Sequence, residues 1–362
     1  MLKIHWARKG ICEPSLGFAC GDVNGNGEKE IITDDGTGEL IILKNDGSLY
    51  SRKRVSDKRL IDIKILDIND DGFKEVVALS EACELLVISA DQMYRIPLPS
   101  PPVCSLIADV DNDGIEELLI LDVTPGVQIV KKNYKTDRLP LMASLKYIGV
   151  HDIDGDGENE IISVYGREIV AFRYEIDKGY KLDYSLRLPF IPYKIIIHDF
   201  NNDGKAEIIA SHGSHIYLIE DISSPEYKRV ASFGGLIKDI KIADIDGNGF
   251  REVVYLISFS RIGGKSAIII QSYKGHLKNM LPIEYDVQRM IISDYNGDRK
   301  EEIVGISQIN EIISIDPRRD HINVLSIGEP IIKITPCDVN NDQKDEMIAR
   351  LATGVMLLGY TL

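Results

Sequence analysis

Short apolar segments separated by polar turns recur along the whole chain. Examples are LIDIKIL from Leu60, EVVALS from Glu75 and ELLVIS from Glu84, each bounded by Gly, Asn, Asp or other polar residues. Runs of this length, rich in Ile and Val, predict β-strands. No segment keeps the 3.6-residue apolar period over the roughly ten to twelve residues that an amphipathic helix needs. The pattern therefore predicts an all-β chain.

A nine-residue motif, D-x-[ND]-x-[ND]-G-x-x-E, divides these segments into repeats. Its eight copies begin at Asp22, Asp67, Asp109, Asp152, Asp199, Asp244, Asp294 and Asp338. Successive copies start 42 to 50 residues apart, so eight units of about 45 residues account for all 362 residues. We therefore expect a single domain spanning residues 1–362, with four short strands in each unit.

Four short strands in a repeat of this length are typical of a β-propeller blade. The last unit supplies only three predicted strands, in ITPC, MIARL and GVMLLGYTL, whereas an extra segment, LKIHWARKG, precedes the first unit. If that N-terminal segment is the outer strand of the last blade, it closes the ring and removes the exposed edge that an open ring would present. The prediction is a single eight-bladed propeller of four-stranded blades, with a seven-bladed propeller as the alternative.

The motif carries side-chain oxygens at positions 1, 3, 5 and 9 and, in six copies, glycine at position 6. A hard cation such as Ca²⁺ takes six to eight oxygen ligands, and glycine allows the sharp turn that such a loop needs. The first six positions resemble an EF-hand loop, but the acidic residue comes at position 9 rather than 12 and the flanks are strands. Asp-Gly and Asn-Gly also favour plain hairpin turns, but eight copies in register favour metal binding.

The predicted metal ligands are the residues at these four positions of all eight copies. They are Asp22, Asn24, Asn26, Glu30, Asp67, Asn69, Asp71, Glu75, Asp109, Asp111, Asp113, Glu117, Asp152, Asp154, Asp156, Glu160, Asp199, Asn201, Asp203, Glu207, Asp244, Asp246, Asn248, Glu252, Asp294, Asn296, Asp298, Glu302, Asp338, Asn340, Asp342 and Glu346. We expect up to eight Ca²⁺ ions, with Mg²⁺ as an alternative in some loops. By charge, the third and fourth loops should bind most tightly and the first most weakly, and the loss of glycine at position 6, to Arg299 and Gln343, should make the seventh and eighth loops weak as well.

The repeats resemble FG-GAP repeats, which build the propellers of integrin α-subunits. The resemblance covers essentially the whole chain and implies a calcium-stabilised propeller that serves as a protein-interaction scaffold. Integrin-type heads have seven blades and usually Asp at position 9, whereas this chain has eight motifs ending in Glu. The adhesion-receptor function of integrins therefore does not carry over. Related propellers include lectins and polysaccharide lyases, so a carbohydrate-binding or lyase-type propeller is the alternative function.

Motifs for catalysis are missing from the sequence, which has no G-x-S-x-G, phosphate-binding loop, dinucleotide fingerprint or zinc spacing. We therefore predict a non-enzymatic protein with protein partners, and carbohydrate remains an open alternative. His151 and His198 directly precede the fourth and fifth motifs, so they are either a base or ligand pair or packed side chains. The packing interpretation is favoured for them. His212 and His215 have a spacing that a metal pair could use, but no Cys or third His is nearby, so a metal site there is disfavoured.

Charge narrows the choice of partners. The chain has 42 Lys and Arg against 57 Asp and Glu, a net charge of −15, which disfavours nucleic acid and anionic membrane surfaces. The motif positions hold 25 of the 57 carboxylates. Eight bound divalent ions would bring the chain close to neutrality, so the charge argument against anionic partners is a modest one.

The N-terminal segment has no apolar run typical of a secretory signal, and no apolar stretch has the roughly 20 residues of a membrane helix. These features predict a cytoplasmic protein without membrane insertion. The odd number of cysteines, with no close spacing between them, predicts reduced thiols rather than a disulfide framework. The cysteines are Cys12, Cys20, Cys83, Cys104 and Cys337.

Overall fold

The computed structural model describes residues 2–10, 17–89, 92–124, 126–139, 147–224, 226–259, 265–319 and 321–360. These ranges contain thirty-two β-strands and one short 3₁₀ turn, Lys132–Tyr134. The strands form eight four-stranded antiparallel sheets. The fold is all-β, an eight-bladed β-propeller, which confirms the predicted fold class and excludes the seven-bladed alternative.

One of two compact units contains the first, second, third and eighth blades. In the first three blades the strands are hydrogen-bonded in chain order. The first blade consists of β2 (Phe18–Gly21), β3 (Glu30–Asp34), β4 (Glu39–Leu43) and β5 (Leu49–Arg54). The second blade consists of β6 (Leu60–Leu66), β7 (Glu75–Ser80), β8 (Glu84–Ile88) and β9 (Met93–Pro97). The third blade consists of β10 (Pro102–Ala108), β11 (Glu117–Asp122), β12 (Val127–Lys131) and β13 (Lys135–Leu139). The eighth blade has the order β1 (Leu2–Lys9), β32 (Gly354–Tyr360), β31 (Glu346–Leu351) and β30 (Ile331–Cys337).

The other unit contains the fourth to seventh blades and the short segment Val110–Asn112. Here too each blade follows chain order. The fourth blade consists of β14 (Tyr147–His151), β15 (Glu160–Tyr165), β16 (Glu168–Glu175) and β17 (Gly179–Arg187), and the fifth of β18 (Ile195–His198), β19 (Glu207–His212), β20 (His215–Ile219) and β21 (Lys228–Ser232). The sixth consists of β22 (Leu236–Ala243), β23 (Glu252–Phe259), β24 (Lys265–Gln271) and β25 (Leu277–Ile283), and the seventh of β26 (Val287–Ser293), β27 (Glu302–Ser307), β28 (Glu311–Asp316) and β29 (His321–Ser326).

Burial within each sheet follows the position of the strand. The second strands are covered on both faces, as in β7, where all six residues are buried, whereas the fourth strands are largely exposed, as in β5. Neighbouring blades of one unit share apolar clusters, such as the one that joins Ile32 of the first blade to Ile63 of the second. Continuous apolar strands are expected where a sheet packs on both faces, which explains why the second strands lack alternation.

The N-terminal strand completes the last blade, as the sequence predicts. Strand β1 pairs antiparallel with β32, from Leu2 opposite Tyr360 to Lys9 opposite Gly354. The Trp6 indole N–H donates a hydrogen bond to the Asn45 carbonyl in the first blade, at 2.8 Å. The strand is therefore fixed by both the eighth and the first blade.

The thiol prediction is wrong for two of the five cysteines. Cys20 at the end of β2 and Cys337 at the end of β30 form a disulfide across a sequence separation of 317 residues. The two strands belong to the first and eighth blades, which the chain brings together because its N-terminal strand joins the last sheet. Cys83 and Cys104 are free thiols, and Cys12 lies outside the described residues.

No helix within the described ranges is both long enough and apolar enough to cross a membrane. The cytoplasmic location and the organisation of residues 1–362 as one domain stay predictions.

Candidate metal centres

Each motif forms the hairpin loop between the first and second strands of a sheet. In every loop, position 1 directly follows the first strand and position 9 is the first residue of the second strand, as in the loop from Asp22 to Glu30. The predicted ligands of each loop are thus brought to one end of one blade.

Backbone N–H groups orient the oxygens at positions 1 and 5 in every loop. The position-1 aspartate accepts a hydrogen bond from the N–H of position 6 at 2.7–3.0 Å in all eight loops. The side chain at position 5 accepts one from the N–H of position 7, also at 2.7–3.0 Å. These side-chain turns give the eight loops one shared conformation.

Two residues in every loop have a left-handed backbone. The φ angles are 58–83° at position 4 and 65–90° at position 6. Gly, Asn and Asp tolerate this conformation best, and position 4 is always one of these three residues. This regularity at position 4 is visible in the residue types but is not among the features predicted from the sequence. Arg299 and Gln343 adopt the same conformation at position 6 without the advantage of glycine.

The glutamate at position 9 is buried in all eight loops, with at most 5% of its surface exposed. In six loops its Oε2 accepts the N–H of position 2 at 2.9–3.3 Å. Burial raises the pKa of Glu207 to about 7 and that of Glu302 to about 8. A buried carboxylate is costly unless a partner compensates its charge, so each loop has a carboxylate that needs one.

Position 3 divides the loops into two kinds. In five loops it is Asn, whose Nδ2 donates to Oε1 of the position-9 glutamate at 2.5–3.2 Å. In the third, fourth and sixth loops it is Asp. There the carboxylates at positions 1, 3 and 9 each place an oxygen within 4.8 Å of the others. Such a set of hard oxygens fits the ligand preference of Ca²⁺.

A guanidinium from the same blade contacts the carboxylates of the fourth loop. The Nη2 atom of Arg173, on β16, lies 2.6 Å from Asp154 Oδ2 and 3.2 Å from Glu160 Oε1. The Nη1 atom pairs with Asp156, and Nε lies 3.2 Å from Asp183 Oδ2. Arg173 therefore bridges positions 3, 5 and 9 of this loop.

Basic side chains reach the sixth and seventh loops in the same manner. Lys278, on β25, pairs with Asp246 at position 3, at 2.9 Å, and with the buried Glu252 at position 9. Arg318, just after β28, pairs with Asp298 at 3.0 Å and with Glu302. None of these three basic residues is predicted from the sequence to belong to a site.

The second, fifth and eighth loops differ from these. Among the described residues, no Lys or Arg pairs with the position-9 glutamates Glu75, Glu207 or Glu346. The predicted ligand positions of these three loops offer oxygen atoms, which are the ligands that a hard cation prefers. The fourth, sixth and seventh loops also offer oxygen ligands, but a basic side chain already pairs with their carboxylates.

The histidines pack as the favoured interpretation predicts. The His198 ring meets Phe200 edge-on at 5.3 Å. Burial, together with the nearby His198, lowers the pKa of His151 to about 4. His212 Nδ1 lies 3.0 Å from the Ile191 carbonyl and His215 Nδ1 lies 2.9 Å from Ser232 Oγ, so these atoms have partners within the fifth blade.

Comparisons with known proteins agree on the fold. No family model matches the chain, and no curated protein matches its sequence, so the FG-GAP resemblance stays a hypothesis. The crystal structure of BBS1N in complex with ARL6DN is similar at 10% identity and a TM-score of 0.55, covering 99% of this chain and 96% of that one. BamB from Moraxella catarrhalis is similar at 10% identity and 0.62, covering 100% and 98%. The dihydro-heme d1 dehydrogenase NirN is similar at 10% identity and 0.61, covering 86% and 66%. Identities this low show the fold alone.

Proposed function

We propose that the protein is a non-enzymatic, FG-GAP-like propeller that binds Ca²⁺ in its hairpin loops and acts as a scaffold for protein partners. The observation that carries the calcium proposal is the buried glutamate at position 9, repeated in every blade beside oriented carboxylate and amide oxygens. A protein that buries eight carboxylates at equivalent positions needs equivalent compensation for them.

The fifth loop presents this need in its simplest form. Glu207 is 3% exposed and accepts hydrogen bonds from the Phe200 N–H at 2.9 Å and from Asn201 Nδ2 at 2.6 Å. Asp199 and Asp203 lie in the same loop, and among the described residues no basic side chain pairs with any of these three acids. A divalent cation held by these acids would compensate their combined charge.

The size and flexibility of the donor set favour Ca²⁺ over Mg²⁺. The loop offers side-chain oxygens at four positions, and Ca²⁺ accepts six to eight oxygen ligands in flexible geometry, whereas Mg²⁺ demands a near-ideal octahedron and keeps several waters. When bound, the ion supplies charge compensation and cross-links the hairpin. The residues orient the ligands and keep water from position 9.

Thermal unfolding in Ca²⁺ and in EDTA tests this proposal. A site saturated at about 100 times Kd stabilises the folded state by about 2.7 kcal/mol, so Ca²⁺ should raise the Tm of the wild type. Asp203→Asn should reduce this rise, and Asp57→Asn, an exposed acid outside the motifs, should not. An identical Tm in Ca²⁺ and EDTA, with no ion retained in the native mass spectrum, would overturn the calcium proposal.

The scaffold proposal rests on the fold and on one similar structure. BBS1N, whose fold covers 99% of this chain, was solved in complex with a protein, ARL6DN. A partner that co-purifies from native cells at fixed stoichiometry, and that dissociates from the EDTA-treated or Asp203→Asn protein, would support a calcium-dependent scaffold. Measurable turnover of a substrate would instead contradict the non-enzymatic proposal.

Carbohydrate binding is the second candidate, because the fifth blade carries a cluster of aromatic rings. Phe190 stacks on His212 at 5.1 Å and contacts Tyr217 at 4.4 Å. Tyr227, 43% exposed, meets both Phe190 and Tyr217 edge-on. Exposed aromatic faces are a common platform for sugar rings. A glycan array probed with the wild type and Tyr227→Ala would support this candidate if binding occurs and depends on that ring.

A further inference from the structure

We infer that the fourth, sixth and seventh loops use a basic side chain of their own blade in place of a metal ion, so that these loops do not bind Ca²⁺. The inference rests on the proposed function in one respect, because it concerns the same motifs. It adds that the eight loops belong to two classes, one metal-dependent and one compensated from within.

In the fourth loop, the guanidinium of Arg173 and a Ca²⁺ ion would compete for the same oxygens. Calcium binds oxygen at 2.3–2.6 Å, and Arg173 Nη2 already lies 2.6 Å from Asp154 Oδ2 and 3.2 Å from Glu160 Oε1. An ion bonded to both oxygens would compete with Nη2 for the same two acceptors. Arg173 would have to leave a site in which it pairs with five carboxylates and is 24% exposed.

The residue at position 3 matches this division in the fourth and sixth loops. Where position 3 is Asn, its amide donates to the position-9 glutamate, as Asn201 does to Glu207. Aspartate cannot donate, and in the fourth and sixth loops the basic side chain makes the missing contact to position 9 and also pairs with the position-3 aspartate. In these two loops the extra negative charge and the internal cation occur together.

Strand register places a basic residue at the equivalent position of the third blade, where Lys131 Nζ lies 3.4 Å from Asp137 Oδ2. Ile161 pairs with Phe172, which places Arg173 opposite Glu160 at position 9. In the third blade Leu118 pairs with Val130, so Lys131 stands at the corresponding position opposite Glu117. The third loop, which also has Asp at position 3, therefore has a basic residue at the equivalent place in its sheet. The seventh loop has both kinds of contact to position 9. Glu302 accepts a hydrogen bond from Asn296 Nδ2 and also pairs with Arg318.

This inference changes the expected order of affinities. Charge counting ranks the fourth loop among the tightest sites, because it has four carboxylates at the ligand positions. With Arg173 in place, it becomes one of the loops that stay folded in EDTA. The second, fifth and eighth loops, which have three carboxylates each and no such partner among the described residues, become the principal sites.

Converting the fourth loop into a metal site tests the inference. Arg173→Gln removes the cation and retains a polar side chain, Arg173→Lys retains the cation, and Arg173→Gln combined with Asp154→Asn removes a ligand as well. Native mass spectrometry in Ca²⁺ counts bound ions, and thermal unfolding in EDTA and Ca²⁺ measures their effect. Lys278→Gln repeats the experiment at a more exposed residue, with 37% of its side chain accessible, in case the Arg173 variant does not fold.

We expect Arg173→Gln to bind one more Ca²⁺ per chain than the wild type, to have a lower Tm in EDTA and to regain that Tm in Ca²⁺. Arg173→Lys and the double variant should not gain the ion. If the wild type binds Ca²⁺ but neither Arg173→Gln nor Lys278→Gln gains an ion, the inference is overturned and the proposed function stands. If only the variants bind Ca²⁺, the inference stands and the proposed function fails. If no protein binds Ca²⁺, both fail.

Discussion

The disulfide between Cys20 and Cys337 should be the strongest single covalent contribution to stability in this protein. It joins β2 and β30 near their C-terminal ends, in the first and last blades. Replacing both cysteines with serine, or reducing the bond in the wild type, removes this link while leaving the packing around it largely intact.

The size of the effect follows from the length of chain that the bond encloses. In the chain-entropy model the stabilisation grows with the logarithm of loop length, and a separation of 317 residues corresponds to about 5.7 kcal/mol at 25 °C. This is an upper value, since the unfolded chain retains some structure. With an unfolding slope of about 6 kcal/mol/M in guanidinium, the midpoint should fall by about 1 M.

Two measurements check this prediction. Thiol titration in guanidinium without reductant should count three free thiols in the wild type, since two of the five cysteines are bonded. Guanidinium unfolding should give the same lowered midpoint for Cys20→Ser with Cys337→Ser and for the reduced wild type. Cys104→Ser, which removes a free thiol, is the matched control and should not change it. Five reactive thiols, or a midpoint unaffected by reductant, would refute the reasoning.

Two further predictions concern the backbone of the loops and of the closing strand. Arg299→Gly should raise the free energy of unfolding in EDTA by about 1 kcal/mol, because Arg299 has a φ of 65° that glycine adopts without strain. Gly204→Ala changes the same motif position, which has a φ of 90° and open space around the added Cβ. This substitution should lower the free energy of unfolding by about the same amount. Changes of the opposite sign in chemical denaturation would contradict this account. Gly354→Ala should cost about 2–3 kcal/mol and expose the N-terminal strand to limited proteolysis, because its Cβ would lie 2.0 Å from the Arg8 carbonyl oxygen. An unchanged Tm and proteolysis pattern would show that β1 adapts to the added carbon.

The architecture could be predicted from the sequence because it depends on local pattern and on counting. The strands are short apolar runs, such as EVVALS from Glu75, and the motif marks the same hairpin in every blade. The missing strand of the last unit and the surplus segment around Trp6 together predicted the pairing of β1 with β32. None of these steps required knowledge of side-chain positions.

The disulfide and the internal cations could not be predicted in that way. Cys20 and Cys337 meet only because distant parts of the chain become neighbours, and their spacing in the sequence carries no sign of it. Arg173 and Lys278 reach their loops from the third and fourth strands of their blades, so their role depends on strand register and on the reach of a long side chain. The position-4 preference for Gly, Asn or Asp, in contrast, was visible in the sequence.

The internal cations also change what the net charge implies about partners. Eight bound divalent ions would nearly cancel the net charge of −15. The loaded protein would then have no net electrostatic preference for a basic or an acidic partner. If Arg173, Lys278 and Arg318 replace three of these ions, five remain, and their ten positive charges leave the loaded chain at −5. The three basic side chains are already counted in the −15, so they add nothing further. The calcium-loaded propeller then keeps an acidic character, and a partner with a basic docking surface is favoured over nucleic acid.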